Sequence, residues 1–224
     1  MKALAILITS IFSLFISNIL KAQTINWRSL QNEQKHILNA NAGWEYGFVY
    51  GIGYGYKLET KIPIVLESAL SFASGEVIFD DFKTKIGGQI NLYQIENFHF
   101  NAAVHGIYRR YGNPLVTLQN FGADATAIIG YYKPKWFAAG EFGFDQAIVT
   151  HFKHKDIYKD VYPDVKNGWY EPTTGGNFNF GIQGGYSFDR SDLTLRAGKV
   201  MTEDFRTSPL VPFYLQLGYN YKLD

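Results

Sequence analysis

From Gly43 to Leu58, GWEYGFVYGIGYGYKL, every even position is large and apolar or aromatic: Trp44, Tyr46, Phe48, Tyr50, Ile52, Tyr54, Tyr56 and Leu58. The odd positions are Gly43, Glu45, Gly47, Val49, Gly51, Gly53, Gly55 and Lys57. Successive side chains of a strand point to opposite faces, so the run predicts one strand with a fatty face and a bare, partly charged face. The period returns along the rest of the chain. Ile62, Ile64, Leu66, Leu70 and Phe72 oppose Glu67; Phe82, Ile86, Ile90 and Leu92 oppose Lys83, Lys85, Gln89 and Asn91. Phe98, Phe100, Val104 and Tyr108 oppose His99, Asn101, His105 and Arg109, and Phe121, Ile129 and Tyr131 oppose Asn120, Asp124 and Thr126. Trp136, Phe142, Phe144 and Ile148 oppose Glu141 and Asp145, and Phe178, Phe180, Ile182, Tyr186 and Phe188 oppose Asn177, Asn179, Gly181, Gln183 and Gly185. The last two runs are Leu193 to Met201, with Arg196 on its polar face, and Pro212 to Leu223, with Lys222 on its polar face. A solvated face has little use for so much glycine, whereas a crowded lumen does. The pattern predicts an all-β, antiparallel, up-and-down transmembrane β-barrel with bulky residues toward lipid.

The links between runs predict the topology. Those at Leu58–Lys61, Ile95–Phe98, Tyr132–Lys135 and Phe188–Ser191 read as tight turns, and those at Ala73–Asp81, Gly112–Thr117, Val149–Gly176 and Thr202–Val211 as longer loops. Bacterial barrels keep short turns on the periplasmic side and long loops outside. Tyr54, Tyr56, Tyr93, Tyr131, Tyr132, Trp136, Tyr186, Phe188, Tyr219 and Tyr221 gather at the tight-turn ends, as an interfacial girdle would. Nine runs are clear. A chain that starts in the periplasm needs one upward strand before Gly43, so part of residues 24–38 is expected to supply it, giving ten strands, with eight as the alternative.

Composition narrows this picture. Aromatic residues make up 17% of the 224 residues and mean hydropathy is −0.13, so residues 23–224 hold no long apolar helix, which a barrel does not need. Residues 1–22 differ: Lys2, an apolar stretch from Ala3 to Leu20, then Lys21 and Ala22 predict a secretory signal peptide, with 23–224 as the barrel domain. Cysteine is absent, which excludes disulfides and a lipid-modified cysteine. The 21 Lys and Arg, two of them in the leader, against 20 Asp and Glu give no support to nucleic-acid binding.

The dyads GFVYGIGYGYKL and NFNFGIQGGYSF, the leader-like Met1 to Ala22 and the terminal run FYLQLGYNYKLD together resemble the small bacterial outer-membrane β-barrel proteins across nearly all of the chain. That family usually ends in an aromatic residue, whereas here Leu223 and Asp224 follow Tyr221. The resemblance implies location in the outer membrane, and contact with its lipid and lipopolysaccharide. It concerns an architecture, and architecture does not fix function.

Enzymatic barrels carry recognisable constellations. None of His36, His99, His105, His151 and His154 is followed two residues on by serine, and no Asp-x-His occurs, so the lipase and protease patterns are missing and no catalytic residue is assigned. His151, His154 and Asp156 could ligate a metal, but Lys153, Lys155, Lys159 and Lys166 oppose a cation, and neither metal nor cofactor is expected. Arg109 and Arg110 suit either lipopolysaccharide phosphate or internal carboxylates. TGGNFNFGIQGG lacks the spacing of a phosphate loop.

Parity turns Glu45, Glu67, Asp124, Glu141 and Asp145 inward with Lys83, Lys85, Arg109 and Arg196, so a lumen charge network is expected, with the two arginines as hubs. Tyr158, Tyr162, Trp169 and Tyr170 in the longest loop are a candidate binding surface. The reading is a monomeric, non-enzymatic outer-membrane barrel with a structural or surface-interaction role through its loops. The alternatives are a narrow channel for small solutes and a lipid-modifying hydrolase without a recognisable motif.

Overall fold

Alternation leaves each strand with unpaired backbone groups on both sides, and in lipid these must all be satisfied by neighbouring strands, which only a closed sheet achieves. A computed structural model of the chain describes residues 24–75, 77, 79–171 and 176–224; the expected signal peptide, 1–22, lies outside them. The strands are β1 (His36–Trp44), β2 (Phe48–Leu58), β3 (Ile64–Ala73), β4 (Asp81–Ile95), β5 (Phe98–Gly112), β6 (Val116–Tyr132), β7 (Trp136–His154), β8 (Gly168–Tyr170), β9 (Asn177–Phe188), β10 (Ser191–Thr202) and β11 (Phe213–Leu223). One short helix, α1 (Asp156–Val161), precedes β8. Each strand pairs antiparallel with the next, β7 passing to β9, and β11 returns to β1 with His36 opposite Leu223 and Trp44 opposite Leu215. Ten strands therefore close the barrel. β8 stands outside that count and pairs only with the far end of β7, through His151 and Trp169.

The expected ten strands are present, but the first is not where the pattern put it. Gly43 to Leu58 is not one strand: β1 ends at Trp44, the chain turns through 45–47, and β2 starts at Phe48. The upward strand expected within 24–38 begins only at His36. Trp44 pairs with Phe48, and both are even, so aromatic parity runs unbroken through the hairpin and hides it. Tyr46, read as outward, sits in that turn and folds over the barrel mouth, its hydroxyl 3.0 Å from Ser71 Oγ.

Tight links lie at 59–63, 96–97, 133–135 and 189–190 at one end, where β1 begins and β11 finishes. The other end carries 45–47, 74–80, 113–115, 155–176 and 203–212. The link expected to be long at Gly112–Thr117 is only 113–115, because β5 and β6 extend further than their apolar positions indicated. So short a turn holds together because Asn113 Oδ1 accepts from the backbone N–H groups of Leu115 and Val116. Exposed large residues cover the outside, among them Ile86, Val104, Ile129, Ile182 and Leu217, as lipid-facing positions should.

Candidate functional site

Because the lipid side is largely apolar, most polar side chains of the spanning strands gather in the lumen, where low polarity demands partners. At the tight-turn end the lumen is filled by the chain's own amino-terminal segment. Ile25 and Trp27 pack against Ile37, Val65, Ile128, Tyr132, Phe137 and Ala139. The sequence pattern puts Tyr132 in the outer girdle; its ring instead faces inward, 1% exposed, stacked on Phe137 at 5.1 Å. Polar latches hold the segment. The Asn26 amide donates to the Lys133 carbonyl (3.0 Å) and Ser187 Oγ (2.8 Å), and Asn220 donates to the Thr24 carbonyl (2.8 Å). Lys222 Nζ donates to Asp192 and to Ser29 Oγ, both at 2.9 Å.

Above this plug lie two clusters of charge. His105 stands between two carboxylates, Nδ1 at 2.8 Å from Asp124 and Nε2 at 3.0 Å from Glu67. Both ring nitrogens face acceptors, so either the imidazole carries both protons or one carboxyl shares its own. Lys85 also pairs with Asp124, and Gln89 donates to Glu67 at 2.8 Å. In the second cluster Glu141 accepts from Arg196 Nε (2.6 and 2.8 Å), Gln183 (2.9 Å) and the Tyr214 hydroxyl. Gly181 and Gly198 make room for that tyrosine: a Cβ on either would collide with its hydroxyl oxygen. The glycines of the bare face thus carve a slot for a ring.

The long-loop end opens into a vestibule of about 860 Å³. Arg109 forks onto Asp81 at 3.0 and 2.7 Å and lies over the Tyr46 ring at 4.1 Å. Lys83 bonds Glu45 at 2.5 Å, and Gln216 donates to the other oxygen of Glu45 at 3.0 Å. Asn120 donates to Thr150 at 2.8 Å, and Asp145 accepts from Asn177 and Asn179 at 3.3 and 3.0 Å. Tyr170 and Glu171 from the longest loop complete the rim. The charged side chains differ in accessibility: Arg109 is 32% accessible, Arg196 28%, Lys85 16% and Lys83 14%, whereas Glu67 and Glu141 are each 2% and Lys222 1%.

No family model and no curated protein matches the chain. Among solved structures, an outer-membrane channel from Pseudomonas putida F1 is similar over 90% of this chain and 100% of its own, at 10% identity and a TM-score of 0.53. The fold is that of an outer-membrane β-barrel. A KdgM porin, solved alone and in complex with disordered oligogalacturonate, aligns with 84% of this barrel and 99% of its own chain in both structures. Identities are 10% and 8% and TM-scores 0.42 and 0.44, too distant to bear on the barrel's function.

Of the nine charged residues of the expected lumen network, Glu45 and Lys83 meet each other, as do Lys85 and Asp124, and Arg196 and Glu141. Glu67 meets His105 and Gln89, and Asp145 is held by two asparagines. Arg196 meets Glu141 and lies over the Tyr214 ring, and Arg109 meets Asp81 at the mouth and lies over the Tyr46 ring, so each arginine binds one carboxylate and one ring. Asp81, assigned to a loop, is the first residue of β4 and points inward. Arg110 turns outward to the Phe79 carbonyl at 2.5 Å and lies 3.9 Å from Asp80. Parity gives His105 and Tyr214 a face but no role, and only register, which sequence does not print, brings them to their carboxylates. In the long loop, Tyr158 stacks between His154 and Tyr162, Trp169 packs on His151 and Phe121, and Tyr170 on Phe152. The candidate metal ligands His151 and His154 are thus each turned to different rings, and among the described residues no group of three ligating side chains converges.

Proposed function

We propose that the chain is an exported outer-membrane protein, its residues 1–22 removed, and that it acts as a narrow channel for small polar solutes that is held shut by its own amino-terminal segment. The tight-turn end would face the periplasm. This reading prefers transport to a purely structural role. The observation that carries it is the asymmetry of the lumen: a roomy, charged vestibule at one end, and residues 24–34 sealing the other end with an apolar cluster and polar latches. A structural barrel has no need of a vestibule, and a permanently filled one no need of a separable plug. A ten-stranded barrel is far narrower than the sixteen or so strands of an aqueous porin, so flux would be slow and selective. With β1 sealed to β11 the ten barrel strands leave no edge for pairing, which favours a monomer. A non-enzymatic role is supported by His105, whose two nitrogens are both engaged by carboxylates and not by a hydroxyl nucleophile.

Planar-bilayer recording tests the reading. The intact protein should give at most small, brief openings, and a variant lacking residues 24–34 should give stable steps. If that variant folds, shown by heat-modifiable migration on gels, and yet stays silent, the channel reading falls.

A second reading, surface attachment through the long loop, is favoured by the exposure of Ile157, Val161, Tyr162 and Trp169 beside Lys153, Lys155 and Lys159. Lipopolysaccharide phosphates would be its natural partner. Removing 156–167 should then abolish adhesion to lipopolysaccharide-coated surfaces without altering conductance.

A further inference from the structure

The lipid-facing wall is not uniformly covered. Around the half of the barrel that runs from β5 to β11, hydrogen-bonded neighbours form rows. One row reads Phe98, Tyr131, Ala138, Gly184, Leu195 and Leu217; the next, toward the long loops, reads Ile129, Gly140, Ile182, Ala197 and Leu215. Large side chains therefore flank a strip where Ala138, Gly140, Gly184 and Ala197 leave the backbone nearly bare. The result is a groove of about 740 Å³ on the outside of the barrel. A Cβ added at Gly140 would meet nothing nearer than 4.0 Å. Lumen crowding is no explanation for this glycine, since it faces out.

The turn-end border of the groove is chemically distinct. Trp136, Tyr186 and Leu193 are cross-strand neighbours just beyond the first row, which places two interfacial aromatics at the rim. Lys133, in the turn 133–135, holds its ammonium 5.4 Å above the centre of the Tyr131 ring, and Tyr131 itself lines the groove. Lys135 follows in the same turn. A bare apolar trough that ends beneath a cation and an aromatic belt is complementary to one kind of molecule.

We propose that this groove binds a single glycerophospholipid, one acyl chain lying over Ala138 and Gly140 and the headgroup phosphate meeting Lys133. An empty groove would leave its lining without contacts on one side, so an ordered chain is favoured there over the mobile lipid elsewhere on the wall. The phosphate contact adds charge pairing at the membrane surface. The site does not depend on whether the lumen conducts.

Native mass spectrometry of the full barrel, released from detergent micelles after reconstitution with phosphatidylglycerol, tests the assignment. The intact protein should retain one phospholipid per chain. Ala138→Leu/Gly140→Leu, which fills the groove from the outside, should lower occupancy at least tenfold, with folding checked by heat-modifiable migration. Lys133→Gln should lower retention several-fold relative to the intact protein while a neutral alkyl detergent binds both equally. Equal occupancy in the intact and filled barrels would overturn the proposal. So would loss of lipid accompanied by a two-chain species that the filled variant cannot form, since the groove would then be a contact between copies.

Discussion

Arg196 and Arg109 carry the same charge in the same tube, and their partners predict unequal effects. Arg196 is the cation of a carboxylate whose side chain is 2% accessible. Truncating it leaves Glu141 with only neutral donors, and breaking a buried pair costs on the order of 3 kcal/mol. Arg109 pairs with Asp81 at the mouth, both partly accessible, where an ion pair contributes about 1 kcal/mol or less. Thermal unfolding in detergent should rank Arg196→Ala well below Arg109→Ala; equal losses would contradict the placement of the two pairs. At residue scale parity told which way a side chain points, and so put Glu141 and Arg196 indoors. It could not tell who meets whom, because a partner across the sheet is fixed by register and across the lumen by curvature. Outside the membrane, Asp204 in the loop 203–212 titrates abnormally. Its carboxylate accepts from the Thr202 hydroxyl and from the backbone of Arg206 and Thr207, which holds its pKa down at about 2. Hydrogen bonds to the charged form lower a carboxyl pKa, so this loop structure is fully favoured above the ordinary value of 3.8 and is lost as pH falls through about 2. The amide resonances of Arg206 and Thr207 should shift over that window, and Asp204→Asn should remove the transition.

In the two-residue link 96–97, Glu96 holds φ at +53°, a left-handed conformation that costs a residue with a Cβ roughly 1–2 kcal/mol and glycine little. Glu96→Gly should therefore raise stability by about 0.5–1 kcal/mol after glycine's extra unfolded-state entropy is subtracted, read as a higher midpoint in denaturant. A lower midpoint would mean that the Glu96 side chain does more than the backbone indicates. Elements were legible where alternation was sustained: β4, β9 and β11 lie on the expected runs. The hairpin at 45–47 was not, because a three-residue link between two even positions preserves the very signal used to find strands. Residues 24–34 were illegible for the opposite reason. A segment packed inside a tube follows the shape of its surroundings and owes nothing to a period of two.

At the scale of the whole molecule, the two ends of the barrel should differ in their access to proteases. Added to intact cells, a protease should cut within 155–171 and spare 133–135; the reverse would invert the molecule in its membrane. Trp27→Ala should loosen the plug, since truncating a buried tryptophan costs about 3–5 kcal/mol, and should raise the frequency of brief openings in bilayer recordings without changing their size. The fold class was open to reading from alternation alone, whereas the seal was not, since it joins residues far apart in the chain. Thr24 meets Asn220 and Ser29 meets Lys222, so the first described residues are fastened to the last strand. That fastening has a bearing on birth order. The apolar seat of the segment is made by β1, β3, β6 and β7, but the latches at Asn220 and Lys222 do not exist until β11 has been made and zipped against β1. Closing the ring also turns the lock.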